Sequence, residues 1–420
     1  MKSKTALRIS AALLMLLGTS HWTNPSFGQT TGGADKGLLT YILSQNARQR
    51  PTDETVKRVQ AIVDKNPQDY FARLVMGNTL DSLGLPEQAI EQYQLAVKLA
   101  PENPRPIIEL VKAELSTGKR EAAMRLLQEA SKRFPNDSEI LFWMGNYYLT
   151  KGDFKNANVY LNKASSKGNA SIFGMSSSKA EIELKQGHFG YAVLLAEEDL
   201  ARDPNYPLGN AVKGLGLFGL HRYKYAAPFL QKAFEKFPLH AEYSRKYGEC
   251  CLVTGDYEHA LEPAMVAMAI ESRRGFPLDE SKWLMRSTLA QLPYSFVMQE
   301  TPVFLDKINK VFSNSRVHFV YGDIFDSFGY HALATREYFD AYKLDKTNAQ
   351  ALLKLANNLE TYYQKYDQAV YFLTQAHTLE PANTEIADRL DRLMSRLSLH
   401  KSDLAWQIKD WLWSQRSPIE

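Results

Sequence analysis

The stretch YFARLVMGNTLDSLGLPEQAIEQYQLAVKLAPEN, residues 70–103, decides the fold. Within it Ala89 and Ala96 stand seven residues apart, and Pro101 follows five residues later. The same triplet returns as Ala123, Ala130 and Pro135, and again as Ala226, Ala233 and Pro238. First alanines fall at Ala89, Ala123, Ala157, Ala192, Ala226 and Ala260, in steps of 34, 34, 35, 34 and 34, and the series resumes at Ala334 and Ala369. A fixed period of this length indicates stacked helical hairpins.

The spacing has a physical cause. Alanines seven apart lie on nearly one face of a helix, two turns along, where a small side chain lets a neighbouring helix come close. A second small residue precedes each first alanine by about one helix and a turn: Gly77, Gly145, Ala180, Gly214, Gly248, Gly322 or Ala356. It marks the partner helix at the crossing. Between the two usually stands a turn glycine, as at Gly84, Gly118, Gly152, Gly187, Gly255 and Gly329, suited to the left-handed cap that ends a helix. Pro101, Pro135, Pro204, Pro238 and Pro381 then stop the second helix. Each period reads helix, turn, helix, break.

With Gly77, Leu80, Gly84, Ala89, Tyr93, Ala96 and Pro101 in register, residues 70–103 resemble a tetratricopeptide repeat. Units beginning near Pro104, Ser138, Phe173, Pro207 and Ala241 follow, and two more begin near Ser315 and Ala349. The resemblance implies an all-α, right-handed superhelical solenoid of antiparallel helix pairs, closed by a C-terminal capping helix. Several positions depart from the pattern. Val111 replaces a small residue, Asp199 replaces a second alanine, and Asn169, Ser272 and Lys346 replace the closing proline.

This gives a division into residues 29–69, an N-terminal segment with a degenerate first hairpin; 70–274, six repeats; 275–314, a divergent hairpin; 315–383, two repeats; and 384–420, capping helices. The 275–314 segment is expected to carry a longer internal loop and to be where the superhelix changes course. In the capping segment, Ile386, Leu390, Leu393, Met394 and Leu397 share one helical face.

Residues 1–28 are of another kind. Lys2, Lys4 and Arg8 precede an apolar run from Ile9 to Leu17, too short for a stable bilayer span and followed by small residues. The expectation is a cleaved export signal, with cleavage after Gly28 (or after Ser20), and a periplasmic or extracellular mature protein. The whole chain has 50 basic and 47 acidic residues; without the three leader cations the two balance. No basic stripe of the kind that neutralises phosphates stands out, so nucleic acid is not an expected partner.

The two cysteines, Cys250 and Cys251, are adjacent in one helix. Their side chains then point about 100° apart, a poor geometry for a disulfide, and two thiols alone make a weak metal site. They are expected to be small apolar core residues. The sequence contains neither His-Glu-x-x-His, nor Gly-x-Ser-x-Gly, nor a glycine-rich phosphate loop. Gly174-Met175-Ser176-Ser177-Ser178 looks like a serine-rich active-site loop but falls at a helix start. Most of the scattered histidines are expected at the surface. An enzyme and a cofactor are not expected.

What remains is binding. In the family this chain resembles, first helices line a concave groove, which maps a partner-binding surface here onto Phe71, Leu74, Asn78, Phe142, Asn146, Arg245, Glu249 and Asn357. The recurrent amides suit an extended peptide backbone. Phe142, Trp143 and Tyr147 are expected to form its aromatic centre. Only Arg245 among the fifth-place residues is a cation, which disfavours a clamp for a terminal carboxylate. The sequence therefore points to a non-enzymatic interaction scaffold of the bacterial envelope that binds a protein or extended peptide. The alternative ligand is glycan, for which Asp323 and Asp326 would serve, in polysaccharide or peptidoglycan assembly. Leu404, Ile408, Trp411 and Leu412, with Trp406 and Trp413, are expected to cover the last repeat rather than touch a membrane.

Overall fold

Helix after helix begins with a residue that the sequence places there for capping. Asp69, Asn103 and Asp137 each follow a break, and their side chains accept from the backbone amides of Phe71, of Arg105, and of Glu139 and Ile140. Such caps satisfy amides that have no partner inside the helix. At the other end of the same helices the chain turns through Gly84, Gly118 and Gly152 at φ of 83°, 80° and 72°. A side chain is strained in that left-handed region, which is why glycine recurs there. His221 and Gln364 take the same conformation where no glycine is available.

The computed structural model describes residues 33–46, 50–167 and 172–397. The expected leader and the tryptophan-rich tail from Leu404 to Trp413 lie outside them. The described residues contain helices and no strand, and the fold is an all-α solenoid of helix hairpins. Close contacts divide the chain into two compact units between Phe237 and Pro238, whereas the alanine pattern alone places its break at 275–314.

Unit 1 holds α1 (Gly33–Asn46), α2 (Asp53–Lys65), α3 (Tyr70–Ser82), α4 (Pro86–Leu99), α5 (Pro104–Ser116), α6 (Arg120–Arg133), α7 (Ser138–Thr150), α8 (Phe154–Lys167), α9 (Met175–Lys185), α10 (Phe189–Arg202), α11 (Pro207–Gly219) and α12 (Tyr223–Lys236). Unit 2 holds α13 (Ala241–Thr254), α14 (Glu258–Arg274), α15 (Asp279–Leu289), α16 (Tyr294–Phe312), α17 (Ser315–Ser327), α18 (His331–Leu344), α19 (Ala349–Thr361), α20 (Tyr366–Leu379) and α21 (Thr384–Arg396).

The alanine ladder is the core of both units. Ala89, Ala96, Ala123, Ala157, Ala164, Ala226, Ala233, Ala260, Ala334 and Ala369 are fully buried. Across each crossing a small residue faces a large one. A Cβ on Gly77 would meet the Tyr93 ring at 2.5 Å, and one on Gly322 would meet the Tyr338 ring at 2.5 Å. On Gly145 it would meet Leu161 at 2.6 Å, and on Gly214 it would meet Leu230 at 2.8 Å. Where Ser272 replaces the closing proline, α14 runs on to Arg274 and ends at Gly275, φ 73°.

The expected longer loop in 275–314 is not what forms. Only residues 290–293 separate α15 from α16. The extra length goes into α16, which has 19 residues and accommodates Pro302 internally. Its apolar positions Leu305, Ile308 and Phe312 are buried and hold it in place. In α21, Ile386, Leu390, Leu393 and Met394 are buried, so the expected amphipathic face packs on the repeat before it.

Gly145→Ala tests the crossing. Its added methyl meets Leu161 Cδ2 and Cγ and, at 3.3 Å, the Leu161 backbone nitrogen. Overpacking of about 1–3 kcal/mol exceeds the helix-propensity gain of up to ~1 kcal/mol, so chemical denaturation should show a net loss. Gly190→Ala, helical and with nothing within 4 Å of the added carbon, should be neutral or stabilising by up to ~1 kcal/mol.

Candidate partner-binding surface

Most of the residues expected to line a groove are engaged within the stack. Phe71, Leu74 and Phe142 are only 3%, 0% and 2% exposed. Their side chains belong to the core, because α3 and α7 are packed on more than one face. Phe142 is therefore not available as an aromatic anchor.

The amides serve the stack. Asn146 donates from Nδ2 to the Phe142 carbonyl oxygen at 3.1 Å, and its Oδ1 accepts from the Ser178 hydroxyl at 2.8 Å. Asn78 accepts from Asn46 Nδ2 at 3.1 Å. In unit 2, Asn358 donates to Asp326 Oδ1 at 3.1 Å; its neighbour Asn357 is half-buried, with no partner for its Oδ1. These three bonds each link residues 32 apart in sequence, from one first helix to the next. They set the register between repeats, and a buried amide that loses its partner costs about 1–3 kcal/mol.

Arg245 and Glu249 are likewise engaged within unit 2. Arg245 of α13 pairs with Glu271 of α14 and, at 2.9 Å, with Glu280 of α15, while Glu249 pairs with Lys246 at 3.0 Å. A comparable network joins α5 to α7. Arg105 bridges Glu109 and Glu139, each at 2.9 Å, and Lys112 reaches the same two carboxylates at 3.3 and 3.2 Å. Burial alone would raise the Glu139 carboxyl; Lys112 and Arg105 outweigh it and hold that group below its ordinary value.

The serine-rich segment is a helix start, as its position implies. Asp199, the residue standing in place of a ladder alanine, is 1% exposed and accepts from the Gly174 amide at 2.9 Å and from the Ser177 amide and hydroxyl, each at 2.7 Å. A carboxylate against these amides suits the positive end of α9. Ser176 donates to Glu198 at 2.6 Å and Ser178 to Asn146. All three serines have structural partners.

The histidine expectation fails at one position. His318 is 1% exposed and its Nδ1 lies 2.8 Å from Glu337 Oε2, with Ser313 on Nε2 at 3.0 Å. Burial raises the Glu337 carboxyl against the stabilising bond to His318. With Asp340 these two offer ligand atoms within 4.8 Å of one another. The 2.8 Å contact is a direct hydrogen bond, shorter than the roughly 3.4 Å between two ligands of a tetrahedral zinc ion. The pair ties α17 to α18. No sequence signal distinguishes His318, because only the hairpin crossing brings Glu337 to it.

Cys250 and Cys251 are free thiols, 0% and 2% exposed. Burial pushes them up to about 12 and about 11 respectively, which keeps both protonated and poorly nucleophilic.

A cavity of about 250 Å³ lies between α5, α6 and α7 in unit 1. Leu115, Met124, Leu127, Trp143 and Tyr147 give it an apolar and aromatic wall, and Arg120, Glu121, Thr150 and Lys151 stand exposed at its mouth. Of the expected aromatic centre, Trp143 (2% exposed) and Tyr147 line the cavity, with Asn146, and Phe142 does not.

Comparison with known proteins follows this geometry. Family models described as tetratricopeptide repeats match residues 82–144, 138–166 and 212–269. No curated protein matches the chain. Among solved structures, a tetratricopeptide repeat protein from Parabacteroides merdae is 16% identical, with 61% of this chain and all (100%) of that one covered at a TM-score of 0.41. PilW, a type IV pilus biogenesis factor, is 16% identical over 51% of this chain and 98% of that one, TM-score 0.39. A human IFIT1 dimer is 14% identical over 95% and 96%, TM-score 0.48. Likenesses this remote say nothing of a partner.

Two outcomes follow from the internal bonds. Asn146→Ala should lower stability by about 1–3 kcal/mol in chemical denaturation, since it strands the Ser178 hydroxyl; an unchanged midpoint would show the bond to be idle. Native protein should resist thiol-modifying reagents at pH 8, with both cysteines reacting only after unfolding, as read by mass spectrometry.

Proposed function

Since this chain is a tetratricopeptide repeat protein, a class of interaction scaffold, we propose that it is a non-enzymatic scaffold of the bacterial cell envelope that holds a partner protein at the cavity between α5, α6 and α7. The observation that carries the reading is the cavity itself. Its apolar and aromatic wall opens next to exposed charged side chains, an arrangement that favours protein anchors. Its volume of about 250 Å³ lies below the roughly 300–1,000 Å³ of small-molecule sites, so it suits one inserted side chain better than a cofactor. Phe71, Leu74, Asn78, Phe142, Asn146, Arg245 and Glu249 serve packing, register or ion pairs, which favours a recognition site nearer the turns that follow the first helices.

The envelope assignment rests on Lys2, Lys4, Arg8 and the short apolar run behind them. The glycan reading draws less support. Asp323 accepts from the Tyr338 hydroxyl at 2.9 Å, and Asp326 is held by His331 at 2.9 Å and by Asn358, so these acids are committed within unit 2.

A photo-crosslinking residue at Thr150 should give a discrete, protease-sensitive adduct in intact cells, absent when the same group replaces exposed Glu129 on α6. Identical products from both positions would discard the cavity as the partner site. Fractionation with N-terminal sequencing should find the mature chain outside the cytoplasm and starting at Gln29; an intact leader on cytoplasmic protein would overturn the envelope role.

A further inference from the structure

The charges at the cavity mouth are unequal and uncommitted. Arg120 and Lys151 stand opposite a single carboxylate, Glu121, among the lining residues. No described carboxylate pairs with either cation; Lys151 instead lies over the Tyr147 ring, 5.8 Å from its centre. By contrast, Arg105 and Lys112 on α5 are neutralised by Glu109 and Glu139. The nearby Lys119 faces the buried Glu114. Both mouth cations are thus left for a ligand where the apolar wall opens.

Resting on the scaffold reading above, the geometry points to an acidic peptide segment as the ligand of this cavity, with one large apolar side chain inserted between α6 and α7 and flanking carboxylates set against Arg120 and Lys151. The inserted chain is aliphatic or aromatic because Leu115, Met124, Leu127 and the Trp143 ring make up most of the wall, and Asn146 beside them is bonded to Phe142 and Ser178. Its neighbours are acidic because a basic flank would place like charges together without a compensating acid beyond Glu121. Cations on flexible, exposed side chains capture carboxylates at modest cost in ordering and set orientation more than total affinity. An extended segment is favoured over a folded surface, since the mouth lies in a crevice between consecutive hairpins.

The test uses fluorescence anisotropy on the mature chain with short synthetic peptides of three kinds: a central Phe or Leu flanked by Asp and Glu, the same centre flanked by Lys, and the acidic flanks around Ala. The first should bind about tenfold more tightly than either control, and added salt should erase the difference from the Lys-flanked peptide. In the double variant Arg120→Glu with Lys151→Glu the preference should reverse toward the Lys-flanked peptide; both positions are exposed, and circular dichroism checks that the fold is kept. The neutral pair Arg120→Gln with Lys151→Gln should abolish the preference without reversing it. Equal binding of acidic and basic peptides, or a preference unchanged in both variants, overturns the inference. If that happens while the Thr150 adduct persists in cells, the cavity is a partner site of other chemistry. If the adduct is also absent, the scaffold reading falls with it.

Discussion

The crossing of the two helices in each hairpin is the constraint on which the rest depends. A glycine or alanine on the first helix accepts a Tyr or Leu from the second, and alanines on the second leave room for the next helix to approach. Gly77 against Tyr93 and Gly322 against Tyr338 repeat one solution; Gly145 against Leu161 and Gly214 against Leu230 repeat another. The added atoms would lie closer than van der Waals contact allows, so these positions tolerate almost nothing larger. Stacking such hairpins yields a core that is nearly one-dimensional, each repeat contacting its neighbours and little else.

Departures from the repeat are accommodated by local chemistry. Asp199 breaks the alanine ladder and caps α9, replacing apolar packing by a carboxylate fixed on amides and a hydroxyl. The missing proline at Ser272 lengthens α14 instead of opening a loop. The insertion within 275–314 is absorbed by a longer helix, since Leu305, Ile308 and Phe312 continue its buried face. In each case the backbone stays helical because a helix satisfies its own polar groups, whereas a loop between packed hairpins would leave some unpaired.

The surface follows a different logic. Side chains that face the next repeat are drawn into bonds that fix register: Asn46 with Asn78, Asn146 with Ser178, Asp326 with Asn358. Residue identity at a repeat position thus shows that a polar group is present there, and not whether its hydrogen-bonding capacity is free. The crevice between α5, α6 and α7 lies where that internal bonding stops.

The alanine period, the turn glycines and the Asp or Asn caps were legible in the sequence because their causes are local. Two alanines seven apart share a helix face whatever surrounds them, and a glycine after a helix end takes the left-handed turn whatever follows it. The fold and the helix order came from these, and the closing helix α21 from the apolar stripe of Ile386, Leu390, Leu393 and Met394. The burial of Phe142, the pairing of His318 with Glu337, the use of Asn146 within the stack and the open cavity beside Trp143 were decided only by tertiary structure. Each depends on atoms brought together from separate helices, and which polar groups are consumed or left free is settled by that packing and by no periodicity along the chain.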